Sequence, residues 1–175
     1  MVPRPAMADW WQRLIDAGAR PAGAVAFEAL RVEAVIPRAG LDTDERTIPH
    51  EVGWIGAAVH LSKGCYRGQE TVARVANMGR APRRLVRLHL DAGDEQLPLP
   101  GEALTLDDRV VGRVGTVVQH HELGPVALAL VKRSVPLDAE LTAGSDTPAP
   151  IDPASVPAEE ADAPGRAAQE RLRGR

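Results

Sequence analysis

The chain has 175 residues, 44% apolar and 26% charged, a balance that excludes a chain disordered throughout and a collagen-like one. Its net charge of −3, from 21 basic and 24 acidic side chains, gives no whole-protein case for nucleic acid. A single cysteine excludes an internal disulfide framework and any site needing two cysteine ligands from this chain.

No run reaches the roughly 18 apolar residues of a membrane span. The opening MVPRPAMADWW lacks the apolar stretch of a secretory signal, so a cytosolic setting without a membrane is expected. Aromatic residues are only 3%, and a core must be built from Ala, Val and Leu. Residues 7–19 predict a helix, with Trp10 and Leu14 at helical spacing. Residues 24–34 predict a second, with Phe27, Leu30 and Ala34 along its apolar face, ended by Pro37 and Gly40. The turn-rich stretch 37–54 reads as a long ordered loop, and residues 69–78 as a short helix stopped by Gly79.

From residue 84 the pattern changes to strands. Val86, Leu88 and Leu90 alternate with Arg87 and His89, the signature of a half-buried strand. Pro98, Pro100 and Gly101 lead into a second strand, and Asp107-Asp108-Arg109 is a turn candidate. Residues 110–120 form a third strand, whose Gly112 and Gly115 suggest bends or bulges. The fourth, 126–131, follows a turn at 122–125. Short strands at this spacing predict a small antiparallel β-barrel over 81–142. The last 33 residues, 143–175, hold five prolines, much Ala and Asp/Glu, and almost no large apolar side chains. Such a stretch cannot offset its ordering entropy, and a disordered tail is expected there.

One segment concentrates chemistry: Lys63-Gly64-Cys65-Tyr66-Arg67-Gly68-Gln69-Glu70-Thr71-Val72-Ala73-Arg74. Its glycines let the backbone turn tightly and approach a ligand. Cys65 stands just before a helix, between Lys63 and Arg67, where positive charge and a helix N-terminus favour thiolate. The alternative is a small buried hydrophobe. From Lys63 to Arg87 there are seven basic residues against one acidic residue, Glu70, while the rest of the chain is acidic. Such a segment suits a phosphate or polycarboxylate, or forms a solvated face with local ion pairs. It lacks the interleaved aromatics of a single-strand stacking platform, so direct nucleic-acid binding is not expected. No metal spacing is recognisable among the five histidines, and His120-His121 reads as a strand end.

The run from Lys63 to Glu70, followed by Val72-Ala73-Arg74, resembles the signature of the YgfZ family of folate-binding proteins. These are relatives of the aminomethyltransferase (T-protein) of the glycine cleavage system. Leu30-Arg31-Val32-Glu33, then Pro37, Gly40, Asp42 and Ile48-Pro49-His50-Glu51, resemble the run leading into that signature. Arg83 to Leu90 and Gly112-Arg113-Val114-Gly115 resemble parts of its C-terminal barrel. Val35 departs from the family, which often places glycine after Glu-Ala.

The resemblance covers roughly residues 20–135 and implies an α+β fold. Residues 1–80 would be the C-terminal part of a T-protein-like folate-binding region, with the barrel following. It also implies tetrahydrofolate as cofactor and support of iron–sulfur cluster assembly or repair, including that of tRNA-modifying iron–sulfur enzymes. Iron–sulfur client or assembly proteins would then be partners. Cys65 is the expected functional thiol. Lys63, Gly64, Tyr66, Arg67, Gly68, Gln69, Glu70 and Arg74 are expected to contact folate or an anion, and Arg31, Glu33 and Glu51 to wall the cavity.

Family members are about twice this length, the difference being N-terminal. A truncated gene model, a fragment, or a chain completed by a partner supplying that half would each explain it. Truncation is the favoured expectation, because residues 1–60 would otherwise expose an apolar face. Two other functions stay open: aminomethyl transfer onto tetrahydrofolate, and an inert fragment or interaction module in which only the barrel folds.

Overall fold

The computed structural model describes residues 1–93 and 96–156. Three helices, α1 (Met7–Asp16), α2 (Ala24–Glu33) and α3 (Gln69–Met78), precede six strands. These are β1 (Arg83–His89), β2 (Ala103–Leu106), β3 (Arg109–His120), β4 (Gly124–Lys132), β5 (Thr142–Ala143) and β6 (Thr147–Pro148). They form one antiparallel sheet in the order β1-β4-β3-β2-β5-β6. The chain after β6 returns to β1: Ile151 bridges Leu88, the His89 N–H donates to Pro150 O, and the Asp152 N–H donates to Arg87 O. The two sheet edges thereby meet, and the barrel closes with its edge hydrogen bonds used.

The barrel interior follows the period of two. Val86 and Leu88 of β1, Ala127, Ala129 and Val131 of β4, and Leu104 and Val114 point inward, joined by Leu141, Ala143, Ala149 and Ile151. The opposite faces of β1 and β4, through Leu85, Val126, Leu128 and Leu130, pack on Val32 of α2 and Val52. Strand β4 is therefore buried on both faces, which explains its unbroken apolar run. Asp107 and Asp108, with φ of 49° and 60°, make the tight turn between β2 and β3. The β3–β4 register shifts between Val114 and Val117, the bulge that Gly115 suggested.

Two expectations fail. The stretch 143–156 is not a tail: it supplies β5, β6, the closing bridge and the buried Ala143, Thr147, Ala149, Ile151, Asp152 and Ser155. Its small side chains fit a narrow barrel interior, so little bulk is needed to seal it. Residues 157–175 of the expected tail lie outside the described residues. On α2 the buried face is Ala29, Arg31 and Val32, while Phe27 and Leu30 are exposed. The helix is apolar on more than one side, and a buried ion pair of Arg31 decides which side turns inward. Helix α1 buries no residue, and Trp10, Trp11 and Leu14 are exposed.

Helix α2 ends in a Schellman motif: Ile36 N–H donates to Arg31 O and Val35 N–H to Val32 O, both at 3.0 Å. The residue that must be left-handed there is Val35, at φ 53°. Left-handed backbone costs an L-residue about 1–2 kcal/mol, and β-branching worsens it. Val35 is half-buried against Leu85 and its neighbours, so part of that strain is offset by packing. Val35→Gly is expected to raise stability by about 0.5–1 kcal/mol. A urea titration in which the variant is less stable than the native chain would refute this reading of the turn.

Candidate functional site

The signature segment is a surface loop feeding α3. Gly68, at φ 82°, caps the helix in a conformation only glycine adopts freely. Tyr66 and Gln69 bind each other reciprocally: Tyr66 N–H donates to Gln69 Oε1 (3.1 Å) and Gln69 N–H to Tyr66 O (3.2 Å). The Lys63 ammonium lies 4.8 Å from the centre of the Tyr66 ring. Val72 is buried, and α3 packs beside the 3-10 turn Pro49–Val52. Lys63, Gly64, Cys65, Arg67, Glu70 and Arg74 are exposed. Cys65 is thus not the buried hydrophobe that sequence left open.

The basic segment divides in two. Arg83 bonds Asp44 (2.7 Å) and Glu51 (2.8 Å), Arg84 donates to Val135 O (2.6 Å), and Arg87 binds Asp152. These three hold the fold together. Lys63, Arg67, Arg74 and Arg80 remain exposed and give the loop and α3 a cationic surface. Arg83 holds the Asp44 carboxyl well below the usual carboxylate range, its hydrogen bond outweighing burial. At Asp152 burial opposes the charged form, but the Arg87 bond and the Ala154 N–H prevail and keep it low.

A pocket of about 410 Å³ opens where the end of α2, the Pro49–Val52 turn, β1 and the 3-10 turn Pro153–Ser155 meet. That volume lies within the range of about 300–1,000 Å³ usual for small-molecule sites. Glu33, Val35, His50, Glu51, Arg87 and Ser155 are among its walls. Of the three expected wall residues, Glu33 and Glu51 line it. Arg31 does not: it is buried in bonds to Glu28 (2.6 Å), Asp42 (2.9 Å) and Thr116 (2.5 Å), which orient α2 on the barrel. The Glu51 carboxylate is taken up by Arg83 and the Ile48 N–H. Glu33 presents a partly exposed carboxylate, bound by His120 Nε2 at 3.2 Å. His50 Nδ1 is buried and has no hydrogen-bond partner, and burial pushes the ring toward its neutral form. None of Lys63–Arg74 lines this pocket.

Sequence reasoning missed His120, Arg87 and Ser155. Arg87 alternates with apolar residues as a solvent-facing side chain would, and its partner Asp152 lies 65 residues on. His50 stood in the flanking run without a role, so the resemblance was the one signal that pointed near it.

Comparison with known proteins bears on both parts. Residues 83–158 match the family model described as CAF17, C-terminal beta-barrel domain. The chain is 36% identical over 138 residues to an aminomethyltransferase of Nostoc, covering 75% of this chain and 36% of that protein. It is 36% identical over 108 residues to a chloroplastic protein of Arabidopsis thaliana, covering 59% of this chain and 23% of that one. The crystal structure of the glycine cleavage system aminomethyltransferase T from Bartonella henselae superposes with a TM-score of 0.65 at 21% identity. That superposition covers 85% of this chain and 42% of the other. The chain therefore spans less than half the length of these relatives. The expected α+β architecture, a T-protein-like region followed by a small antiparallel barrel, is the fold observed. Among the described residues no helix is long and apolar enough to cross a membrane.

Proposed function

We propose that this chain belongs to a tetrahydrofolate-binding protein that supports iron–sulfur cluster assembly or repair, including that of tRNA-modifying enzymes. The single observation that carries the folate part is the 410 Å³ pocket holding a carboxylate, a guanidinium and an unpartnered histidine nitrogen. A folate ring presents N–H donors and nitrogen acceptors, and Glu33 and His50 offer the complementary groups. The match to a CAF17 barrel and the aminomethyltransferase relatives support the same reading. Tetrahydrofolate supplies a carrier for one-carbon units. The chain's own residues bind and orient it: Glu33 and His50 at the ring, with Val35 and Leu85 as apolar wall.

The signature loop lies outside that pocket and keeps the anion-binding task its sequence suggested. Gly68, Tyr66 and Gln69 shape the loop, which presents Cys65 and the cations Lys63, Arg67 and Arg74 outward, beside Gly64 and Glu70. That surface suits an anionic partner, either the glutamate tail of folate or an acidic face of an iron–sulfur client. The resemblance to the YgfZ signature supports the client role.

The test is calorimetry with tetrahydrofolate under anaerobic, reducing conditions. Saturable binding is expected for the native chain, weakened by roughly tenfold in Glu33→Gln through loss of a charge-assisted bond. No binding by a folded chain would refute the pocket assignment for these residues. The relatives named aminomethyltransferase favour a second reading, aminomethyl transfer onto tetrahydrofolate. Turnover of an aminomethylated lipoyl carrier protein would establish it and displace the accessory role.

A further inference from the structure

We infer that His120 is a positioning residue: it holds the Glu33 carboxylate at the pocket, through a ring tautomer that the β3–β4 turn imposes. The inference rests on the folate reading of that pocket. His120 ends β3 and is 1% exposed, a costly place for an imidazole unless both nitrogens are used. Its Nδ1 accepts two backbone donors, Glu122 N–H at 3.2 Å and Leu123 N–H at 3.1 Å. A backbone amide can only donate, so Nδ1 carries a lone pair and the ring proton sits on Nε2. Nε2 lies 3.2 Å from Glu33 Oε2 and donates to it.

Glu33 needs such a holder. It is the last residue of α2, where the helix dipole disfavours a negative charge. A carboxylate there is not explained by helix stability. Its backbone carbonyl accepts from Arg87 Nη1, and Arg87 is itself fixed by Asp152. Glu33 is thus held at main chain and side chain by the barrel, through two residues that both come from strands. One carboxylate can accept several hydrogen bonds, and His120 takes one. The remaining lone pairs stay available to a ligand bearing N–H donors, and the ring cannot rotate to withdraw the support without breaking the turn.

Two substitutions separate the nitrogens. His120→Asn places an amide oxygen near Nδ1 and keeps the turn, but gives up the donor to Glu33. His120→Gln reaches the Nε2 position and keeps that donor, but leaves the turn amides unpaired. Expected for H120N is near-native thermal unfolding with tetrahydrofolate binding weakened by roughly tenfold or more. Expected for H120Q is the reverse: a lower unfolding temperature with affinity within roughly threefold of native. Nitrogen-15 NMR of the native chain without ligand should show the His120 ring protonated at Nε2, with that resonance moving in E33Q. A folded H120N that binds as tightly as the native chain, or a ring protonated at Nδ1, overturns the inference. If the native chain itself does not bind tetrahydrofolate, the folate reading falls, and the positioning role falls with it. If H120N does not fold, the NMR tautomer and H120Q decide: retained affinity supports the role, and native-like stability with lost affinity overturns it.

Discussion

Replacing Asp42 by alanine is expected to destabilise the chain by about 3–5 kcal/mol, the usual cost of leaving a buried charge without its partner. Asp42 is 1% exposed. Its carboxylate accepts from Thr116 N–H at 2.6 Å, Arg38 N–H at 2.8 Å, Arg31 Nη1 at 2.9 Å and Thr116 Oγ1 at 3.0 Å. The bulge in β3 makes this approach feasible. It frees the Thr116 amide from the ladder, and at Gly115 a Cβ would lie 2.4 Å from Asp42 Oδ1. Without the carboxylate, Arg31 stays buried with only the partly exposed Glu28 as counter-charge, and α2 loses the contact that orients it. Urea unfolding of D42A against the native chain measures this. The double variant R31M/D42A should lose less than D42A alone, because no charge remains buried. A D42A chain within about 1 kcal/mol of native would refute the orienting role.

A chain ending at Thr142 is expected to lose its cooperative unfolding transition. Such a chain lacks Ile151, whose burial contributes about 1.5–3 kcal/mol. It also lacks Asp152, and Arg87 is left buried without its carboxylate at a cost of about 3–5 kcal/mol. Together these approach the whole stability of a small domain, about 5–15 kcal/mol. Beyond the energies, β1 and β2 would become open edges, since β5, β6 and the closing segment are gone. Thermal scans with near-ultraviolet circular dichroism would report the loss. A shortened chain melting at the native temperature would mean that the barrel closes without residues 143–156.

The two errors of the sequence reading share a cause with these predictions. Val86, Leu88 and the run from Val126 to Val131 were legible as strands because burial imposes a local period on them. Helix α3 was legible to the residue, because Gly68 and Gly79 bound it at φ 82° and 85°. Residues 143–156 carry no such period. They enter the barrel as Ala143, Ala149 and Ile151, on or beside two-residue strands in a proline-rich stretch, and composition alone gives their burial no sign. On α2, apolar residues occur on several sides, and the choice was made by Arg31 reaching Asp42, 11 residues away, and Thr116, 85 residues away.

The site divides along the same line. The Lys63–Arg74 signature is contiguous, so its glycines, its cysteine and its cations are visible in the chain, and local residue order is enough to specify that loop and the helix it starts. It also determined four of the six strands, through alternation and turn chemistry. That the pocket lies away from this loop, that Glu33 lines it from the end of α2, and that His120 and Arg87 bond Glu33 there depends on how the barrel closes. Those residues are brought together across 54 to 87 positions by barrel closure, and no local pattern encodes a contact at that separation.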